Sequence, residues 1–205
     1  CEKQSIVEAS MACAESGVTT GEWGNTMREL MGEYRAPTGV SAAVSNKPMS
    51  EGAQLVMDKV RELNRRMGRN LKILVGKPGL DGHSNGAEQI AVKARDMGMD
   101  VVYEGIRLTP EQIAESAMQE GVHVVGLSIL SGSHRKLIPE VIRQMHRREL
   151  NQIPVVLGGF IPEEDMLEMY TAGVSKIYTP KDFNLNQIMD SIAHVVAAAN
   201  DIDID

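Results

Sequence analysis

From residue 71 onward, short apolar segments alternate with segments of helical periodicity, and no other feature limits the possible folds so strongly. The apolar segments lie at 71–75, 101–103, 122–129, 155–157 and 177–178. Strands that alternate with helices form parallel sheets covered by helices on both faces. We therefore expect a doubly wound α/β domain over residues 69–199.

The first 70 residues carry helical patterns. Thr19 and Glu22 have the spacing of a capping box, and Ser50 precedes a strong helical apolar pattern. We expect a helical segment at 1–37, a linker at 38–50, a helix at 51–68 that packs on the domain or on a partner, and a flexible acidic tail at 200–205. The complete expectation is a flavodoxin-like (Rossmann-like) five-stranded parallel sheet with helices on both faces, preceded by an N-terminal helical extension.

Charge and composition exclude several classes of function. The net charge of −7 repels nucleic-acid phosphates, so nucleic acid is not an expected partner. No apolar run of the sequence is long enough to span a bilayer, so we expect no membrane association. The two cysteines, Cys1 and Cys13, make no disulfide framework, which favours a cytoplasmic location. Because the first residue is not Met, we expect a fragment or a processed chain.

The segments that follow the predicted strands are where a ligand is expected, because open parallel sheets bind ligands at the carboxyl ends of their strands. The segment after the first strand, 76–86, holds four glycines together with Lys77, Asp81 and His83. The ends of the third, fourth and fifth strands and the residues after them are mostly small or polar, and the candidate ligand-contacting residues there are Ser128, Leu130, Ser131, Gly132, Gly158, Gly159, Tyr178 and Thr179. Side chains of this size predict a deep slot at that edge of the sheet.

Several common sites do not fit this pattern. Gly79, Gly82 and Gly86 lack the spacing of a dinucleotide fingerprint, and Gly76-Lys77-Pro78 lacks the Ser or Thr of a P-loop. The third strand ends without the acidic residues that a phosphoacceptor domain would require. A zinc site needs three or four converging ligands, which Asp81, His83 and His134 could supply, although Asp81 is better explained as a residue that orients His83.

The motif Asp81-x-His83-x-x-Gly86, followed by Ser128-x-Leu130 and Gly158-Gly159, resembles the signature of base-off, His-on cobalamin-binding domains. The resemblance implies that His83 is the cobalt ligand and that Asp81 accepts the other ring N–H of His83. It also implies that Lys77 hydrogen-bonds Asp81. The residues implied to contact the cofactor are Asp81, Gly82, His83, Ser84, Gly86, Ser128, Leu130, Ser131, Gly132, Gly158, Gly159, Tyr178 and Thr179.

The resemblance also assigns individual roles in the pocket for the displaced nucleotide tail. Gly86 would permit close approach of the tail, and Ser128 would hydrogen-bond the benzimidazole nitrogen. Gly158 and Gly159 would leave room where a Cβ would clash.

Longer phrases resemble acyl-CoA mutases, and within them the ethylmalonyl-CoA mutase branch, with methylmalonyl-CoA mutases as near relatives. These phrases are GKPGLDGHSNGAEQIA, VHVVGLSILSGSH, GGFIPEED and YTPKDF, and the upstream stretch GVTTGEWGNTMRELMGEYRAPTGV resembles the segment that leads out of the mutase substrate barrel. The resemblance implies adenosylcobalamin as cofactor, a radical 1,2-migration of an acyl-CoA thioester group, and a homo-oligomeric intact enzyme. Without the barrel we expect this chain to bear no substrate-contacting catalytic residue and to be inactive alone.

Two other functions remain open at this point. A corrinoid methyl-carrier domain of a methyltransferase shares the Asp-x-His-x-x-Gly core, and a non-catalytic cobalamin-binding regulator would share it as well. Individual residues also have simpler explanations: Asp81 could cap the following helix, although Ser84 and Asn85 suit that position better. His134 is expected either near the cofactor or at the surface where a helix begins.

Overall fold

The computed structural model describes residues 5–32 and 50–204. Contacts divide the chain into two units, Cys1–Asn46 and Lys47–Asp205. In the first unit, α1 spans Ile6–Glu15 and α2 spans Thr20–Met31. The predicted capping box is confirmed, because the Thr19 side chain accepts from the Glu22 N–H while the Glu22 carboxylate accepts from the Thr19 N–H.

Neither α1 nor α2 has a buried residue. The Trp23 indole N–H donates to the Ser10 hydroxyl at 3.0 Å, which joins the two helices. Large apolar side chains on both helices, such as Met11, Leu30 and Met31, remain exposed. The helix α2 ends at Met31 with Gly32 as its C-cap, earlier than the stop that Pro37 would give. Pro37 and most of the linker predicted at 38–50 lie outside the described residues.

The second unit alternates helices and strands along its whole length. Its elements are α3 Glu51–Met67, β1 Lys72–Pro78, α4 Asn85–Asp96, β2 Asp100–Leu108, α5 Pro110–Glu120, β3 Val124–Ile129, α6 His134–His146, β4 Val155–Gly159, α7 Glu163–Ala172, β5 Val174–Tyr178 and α8 Leu185–Ala199. The five strands are parallel and lie in the order β2-β1-β3-β4-β5. The predicted flavodoxin-like sheet is therefore confirmed.

Two apolar cores cover the two faces of this sheet. On one face, residues of α3, α4 and α8 pack on the strands, with Leu63, Ile73 and Ile192 among the buried side chains. On the other face, α5, α6 and α7 pack on the strands, with Leu74 of β1 and Ile113 of α5 among the buried side chains. The strand order places β2 and β3 on opposite sides of β1, so the chain reverses direction across the sheet there and opens a crevice at the carboxyl ends.

Four strands extend beyond their predicted segments: β4 and β5 span Val155–Gly159 and Val174–Tyr178, and the extensions of β1 and β2 change the site region. β1 continues to Pro78, which places Gly76 and Lys77 in the strand instead of the loop, and β2 continues to Leu108. The register shifts where Gly76 faces Gly105 and Pro78 faces Leu108. Gly105 (φ 83°) and Arg107 (φ 63°) of β2 have left-handed backbone conformations. These irregularities interrupt the alternation of apolar and polar residues by which a long strand is predicted from sequence.

The segments on either side of the predicted domain 69–199 both contribute to its core. Ala53, Val56, Val60 and Leu63 of α3 are buried in the same core as the sheet. At the C-terminal end, where a flexible tail is predicted, Ile204 is 6% exposed in that core, and Ile202 packs against it. Asp and Ile alternate in the tail because Ile202 and Ile204 turn inward while Asp201 and Asp203 are exposed.

Candidate functional site

The loop between β1 and α4 is organised around the carboxylate of Asp81. Its Oδ1 accepts from the backbone N–H of His83 at 3.0 Å and contacts the ring Nδ1 of His83 at 2.8 Å. Its Oδ2 accepts from the ammonium of Lys77 at 3.0 Å and from the backbone N–H of Leu130 at 2.9 Å. Asp81 therefore joins β1, the β1–α4 loop and the end of β3.

Burial alone would raise the pKa of Asp81, but the donors from His83, Leu130 and Lys77 outweigh it and hold this pKa well below its usual range. The carboxylate is consequently ionised and can only accept hydrogen bonds. In a neutral His83 ring, Nδ1 must then carry the proton and Nε2 must carry the lone pair. The His83 side chain is 78% exposed, so Nε2 is available to a ligand outside the protein.

Lys77 is fully buried, with 0% of the residue exposed. Its ammonium donates to Asp81 and also to the backbone oxygen and the hydroxyl of Ser128, at 3.2 and 3.3 Å. A buried ammonium is tolerated only when its donors are paired. The sequence predicted the contact with Asp81, but it gave no sign of the contacts with Ser128.

A cavity of about 430 Å³ opens beside this loop, between the carboxyl half of the sheet and helices α4 and α8. Its walls are mostly apolar and include Val75, Ile188 and Ile192. The predicted residues that line it are Gly86, Ser128, Leu130, Gly158, Gly159, Tyr178 and Thr179. The volume lies within the usual range for small-molecule pockets, about 300–1,000 Å³.

The two glycines that end β4, Gly158 and Gly159, differ in what they do. A Cβ on Gly159 would lie 1.8 Å from the carbonyl oxygen of Ile129, and its φ is 149°. A Cβ on Gly158 would meet only the Leu127 oxygen, at 3.9 Å. Gly159 is therefore required by the contact between β3 and β4, whereas Gly158 leaves space in the cavity.

Tyr178 and Thr179 line the far side of the cavity. The Tyr178 hydroxyl donates to the Ser191 hydroxyl at 3.0 Å, and burial raises the pKa of Tyr178 to about 12. The backbone N–H and the hydroxyl of Thr179 both contact the Asp182 carboxylate. Both residues are thus held in place by α8 or by the loop that precedes it.

Other predicted site residues do not reach the cavity. Gly82 lies beside the guanidinium of Arg107, and the Ser131 hydroxyl contacts that of Ser133 at 2.6 Å. Gly132 is exposed near the start of α6. Ser84 occupies the N-cap position of α4, but its side chain makes no capping hydrogen bond, so its expected capping role is wrong.

Sequence reasoning missed two parts of the site region. His134 is buried, not at the surface, and its Nε2 contacts the Asp165 carboxylate at 2.8 Å, which ties α6 to the first turn of α7. The contribution of α8 to the cavity through Ile188 and Ile192 was also missed. The apolar stripe of α8 was visible in the sequence, but it does not show which residues face the core and which face a cavity.

The cavity and the Asp81–His83 pair lie at the carboxyl edge where the sheet order reverses, and residues 71–180 match the family described as B12 binding domain. The chain belongs to the B12-binding domain family. The matched region begins one residue before β1 and ends two residues after β5, so it contains the complete sheet and α4 but ends before α8, the other helix that lines the cavity.

Longer alignments relate this B12-binding domain to mutases. The chain is 53% identical over 193 residues to the ethylmalonyl-CoA mutase of Cereibacter sphaeroides, and 50% identical over 196 residues to that of Methylorubrum extorquens. The alignments cover 94% and 96% of this chain but only 29% and 28% of the two relatives. The predicted resemblance is confirmed, and the chain spans less than a third of the length of these relatives.

A solved structure supports the fold. The crystal structure of a cobalamin-binding protein from Desulfitobacterium hafniense DCB-2 aligns with a TM-score of 0.54 at 17% identity, covering 93% of this chain and 89% of that one. Within residues 5–32 and 50–204, no helix has the length and apolar character needed to cross a membrane. The same described parts contain no group of three or more His, Cys, Asp and Glu side chains placed to hold a metal ion.

Proposed function

We propose that the chain binds cobalamin with the cofactor's own base displaced from cobalt and with His83 as the protein ligand. The observation that carries this proposal is the position of the His83 ring. Asp81 holds Nδ1, most of the side chain is exposed, and the 430 Å³ cavity opens next to it. A histidine that is oriented through its second nitrogen by a carboxylate is the usual arrangement for a metal-binding imidazole.

The cavity fits the displaced nucleotide tail. A benzimidazole is flat and apolar apart from its nitrogen, and the cavity walls are apolar with the Ser128 hydroxyl among the few polar groups. Gly86 and Gly158 add no side chain to the walls, and a Cβ on Gly86 would meet nothing within 4 Å. These residues would hold the tail, while Leu130, half exposed at the rim, would pack beside it.

We further propose that the domain serves an acyl-CoA mutase with adenosylcobalamin as cofactor and ethylmalonyl-CoA as substrate. Two relatives of this activity that are at least 50% identical support this. When bound, the cofactor supplies radical chemistry, and the protein contributes binding and orientation. The substrate would bind to a barrel domain that is either fused in a longer chain or carried by a separate subunit. If the barrel is fused, the intact enzyme would be a homo-oligomer. The exposed apolar side chains of α1 and α2 would pack on that barrel.

The test is a titration of the chain with cobalamin, followed by the visible spectrum. We expect a base-off, histidine-ligated spectrum for the unchanged chain and its loss in His83→Ala. His146→Ala, which removes an exposed histidine from α6, is the matched control and should behave as the unchanged chain does. An identical spectrum in His83→Ala would contradict the assignment of the ligand. Conversion of ethylmalonyl-CoA by the 205-residue chain alone would contradict the proposed location of the substrate site.

A further inference from the structure

Lys77 contacts both the aspartate that orients the proposed cobalt ligand and the serine that lines the cavity for the nucleotide tail. An ammonium has three N–H donors and no acceptor. Three acceptors surround the Lys77 ammonium within 3.3 Å, namely Asp81 Oδ2, the Ser128 backbone oxygen and the Ser128 hydroxyl. Because Lys77 is fully buried, solvent does not compete for these donors. The ammonium is therefore fixed between the aspartate that holds His83 and the serine that lines the cavity.

This contact restricts the orientation of the Ser128 hydroxyl. A serine hydroxyl has one proton to donate and two lone pairs. Lys77 uses a lone pair of Ser128 and cannot accept, so the Ser128 proton must point elsewhere. Ser128 lines the cavity, and among the described residues its hydroxyl donates to no other side chain or backbone group. The proton is consequently available to a group inside the cavity.

We infer that Lys77 is a positioning residue that fixes Ser128 as a hydrogen-bond donor toward the cavity, so that the cavity selects ligands whose deepest group is an acceptor. This inference deepens the proposed function and rests on it. An aromatic nitrogen with a free lone pair, such as that of a displaced benzimidazole, satisfies the requirement. Lys77 would thereby link recognition of the tail to the orientation of His83 through Asp81.

The inference is tested by a double-mutant cycle with two corrinoids. Cobalamin carries the nucleotide tail and cobinamide lacks it, and the affinity of each is measured from the visible spectrum. Ser128→Ala should weaken cobalamin binding about tenfold, the loss expected for one buried hydrogen bond. It should leave cobinamide binding unchanged, because cobinamide places no base in the cavity.

The second arm replaces Lys77 with Met, which keeps the length of the side chain and removes its donors. In the Lys77→Met background, Ser128→Ala should weaken cobalamin binding by less than about threefold, since the hydroxyl is no longer oriented. Lys72→Met is the matched control, because Lys72 begins the same strand and pairs with Glu120 at the opposite edge of the sheet. It should change neither affinity.

Multiplicative losses in the double variant would overturn the inference, because Lys77 and Ser128 would then act independently. If Lys77→Met does not fold, as judged by circular dichroism, Lys77→Leu, which also lacks a donor, takes its place in the same cycle. Equal effects of Ser128→Ala on both corrinoids, or none on either, would also overturn the inference. Failure of the proposed function gives a different result, since the unchanged chain would then bind neither corrinoid with a histidine-ligated spectrum.

Discussion

Asp81 accepts four hydrogen bonds in a position that is almost closed to solvent. Two come from His83, one from Lys77 and one from the backbone of Leu130. Two of these contacts were predictable from the sequence, because Lys77, Asp81 and His83 lie within seven residues and match a known motif. The contact with Leu130 was not, because it joins residues 49 positions apart and depends on β1 and β3 being neighbours in the sheet.

Replacing Asp81 with Asn should weaken both cofactor binding and the fold. The amide would present N–H groups to Lys77 or to His83, which are donors themselves. Removing one partner of a buried ion pair lowers the free energy of unfolding by about 3 kcal/mol, and losing the residue that orients a metal ligand lowers affinity about 10- to 100-fold. Urea unfolding and cobalamin titration measure the two effects.

Asp58→Asn is the control for this variant. Asp58 pairs with Arg61 on the exposed side of α3, where an ion pair contributes no more than about 1 kcal/mol. If Asp58→Asn and Asp81→Asn lower the free energy of unfolding equally, the buried array around Asp81 does not stabilise the loop.

The two glycines that end β4 give a second prediction for single residues. Gly159→Ala places a methyl group 1.8 Å from the Ile129 oxygen, and we expect the free energy of unfolding to fall by about 3 kcal/mol or more. Gly158→Ala meets no close atom, so it should fold normally but weaken cobalamin by filling part of the cavity. Comparable stability of the two variants in urea would contradict this division of roles.

At the scale of elements, the sequence predicted helix ends better than strand ends. In the sequence, Gly173 predicts a helix end, the spacing of Thr109 and Gln112 predicts a capping box, and helical patterns cover 163–172 and 185–199. The structure agrees, because Gly173 caps α7, the Thr109–Gln112 box begins α5, and α8 spans Leu185–Ala199. These signals are local, since a cap or a left-handed glycine acts within one helical turn. Strand ends depend on partners far along the chain, which explains why β1 and β2 were predicted too short.

The helix α3 illustrates how an element can be predicted while its partner is not. Its apolar pattern gave the helix but left open whether it packs on the domain or on another protein. The structure buries Leu63 completely in the core shared with α8 and the sheet. An apolar pattern shows that one face of a helix is buried, but it does not show which element or protein packs against that face.

Leu63→Ala should therefore destabilise the whole second unit. Truncation of a fully buried leucine lowers the free energy of unfolding by about 2–5 kcal/mol, whereas Leu55→Ala, on the exposed side of the same helix, should change it by less than about 0.5 kcal/mol. Urea unfolding of both variants makes the comparison. A loss below about 1 kcal/mol for Leu63→Ala would mean that α3 is detached from the domain in solution.

At the scale of the molecule, the strand order decides where the site lies. β1 and β3 are adjacent in the sheet although β2 separates them in the chain, which brings the Asp81–His83 loop beside Ser128. The alternation of strands and helices predicted this edge before any contact was known. The cavity itself depends on the distance between α8 and the sheet, and no local pattern in the sequence specifies that distance.

The central claim is that a nitrogen of His83 replaces the cofactor's base on cobalt. It is tested most directly by electron paramagnetic resonance of the Co(II) form bound to the chain prepared with ¹⁵N-labelled histidine. We predict that the cobalt lines, split into triplets by ¹⁴N in the unlabelled protein, become doublets in the labelled protein, and that both patterns disappear in His83→Ala. Triplets that persist after labelling would show that the axial nitrogen still belongs to the cofactor, and the account of this site would be wrong.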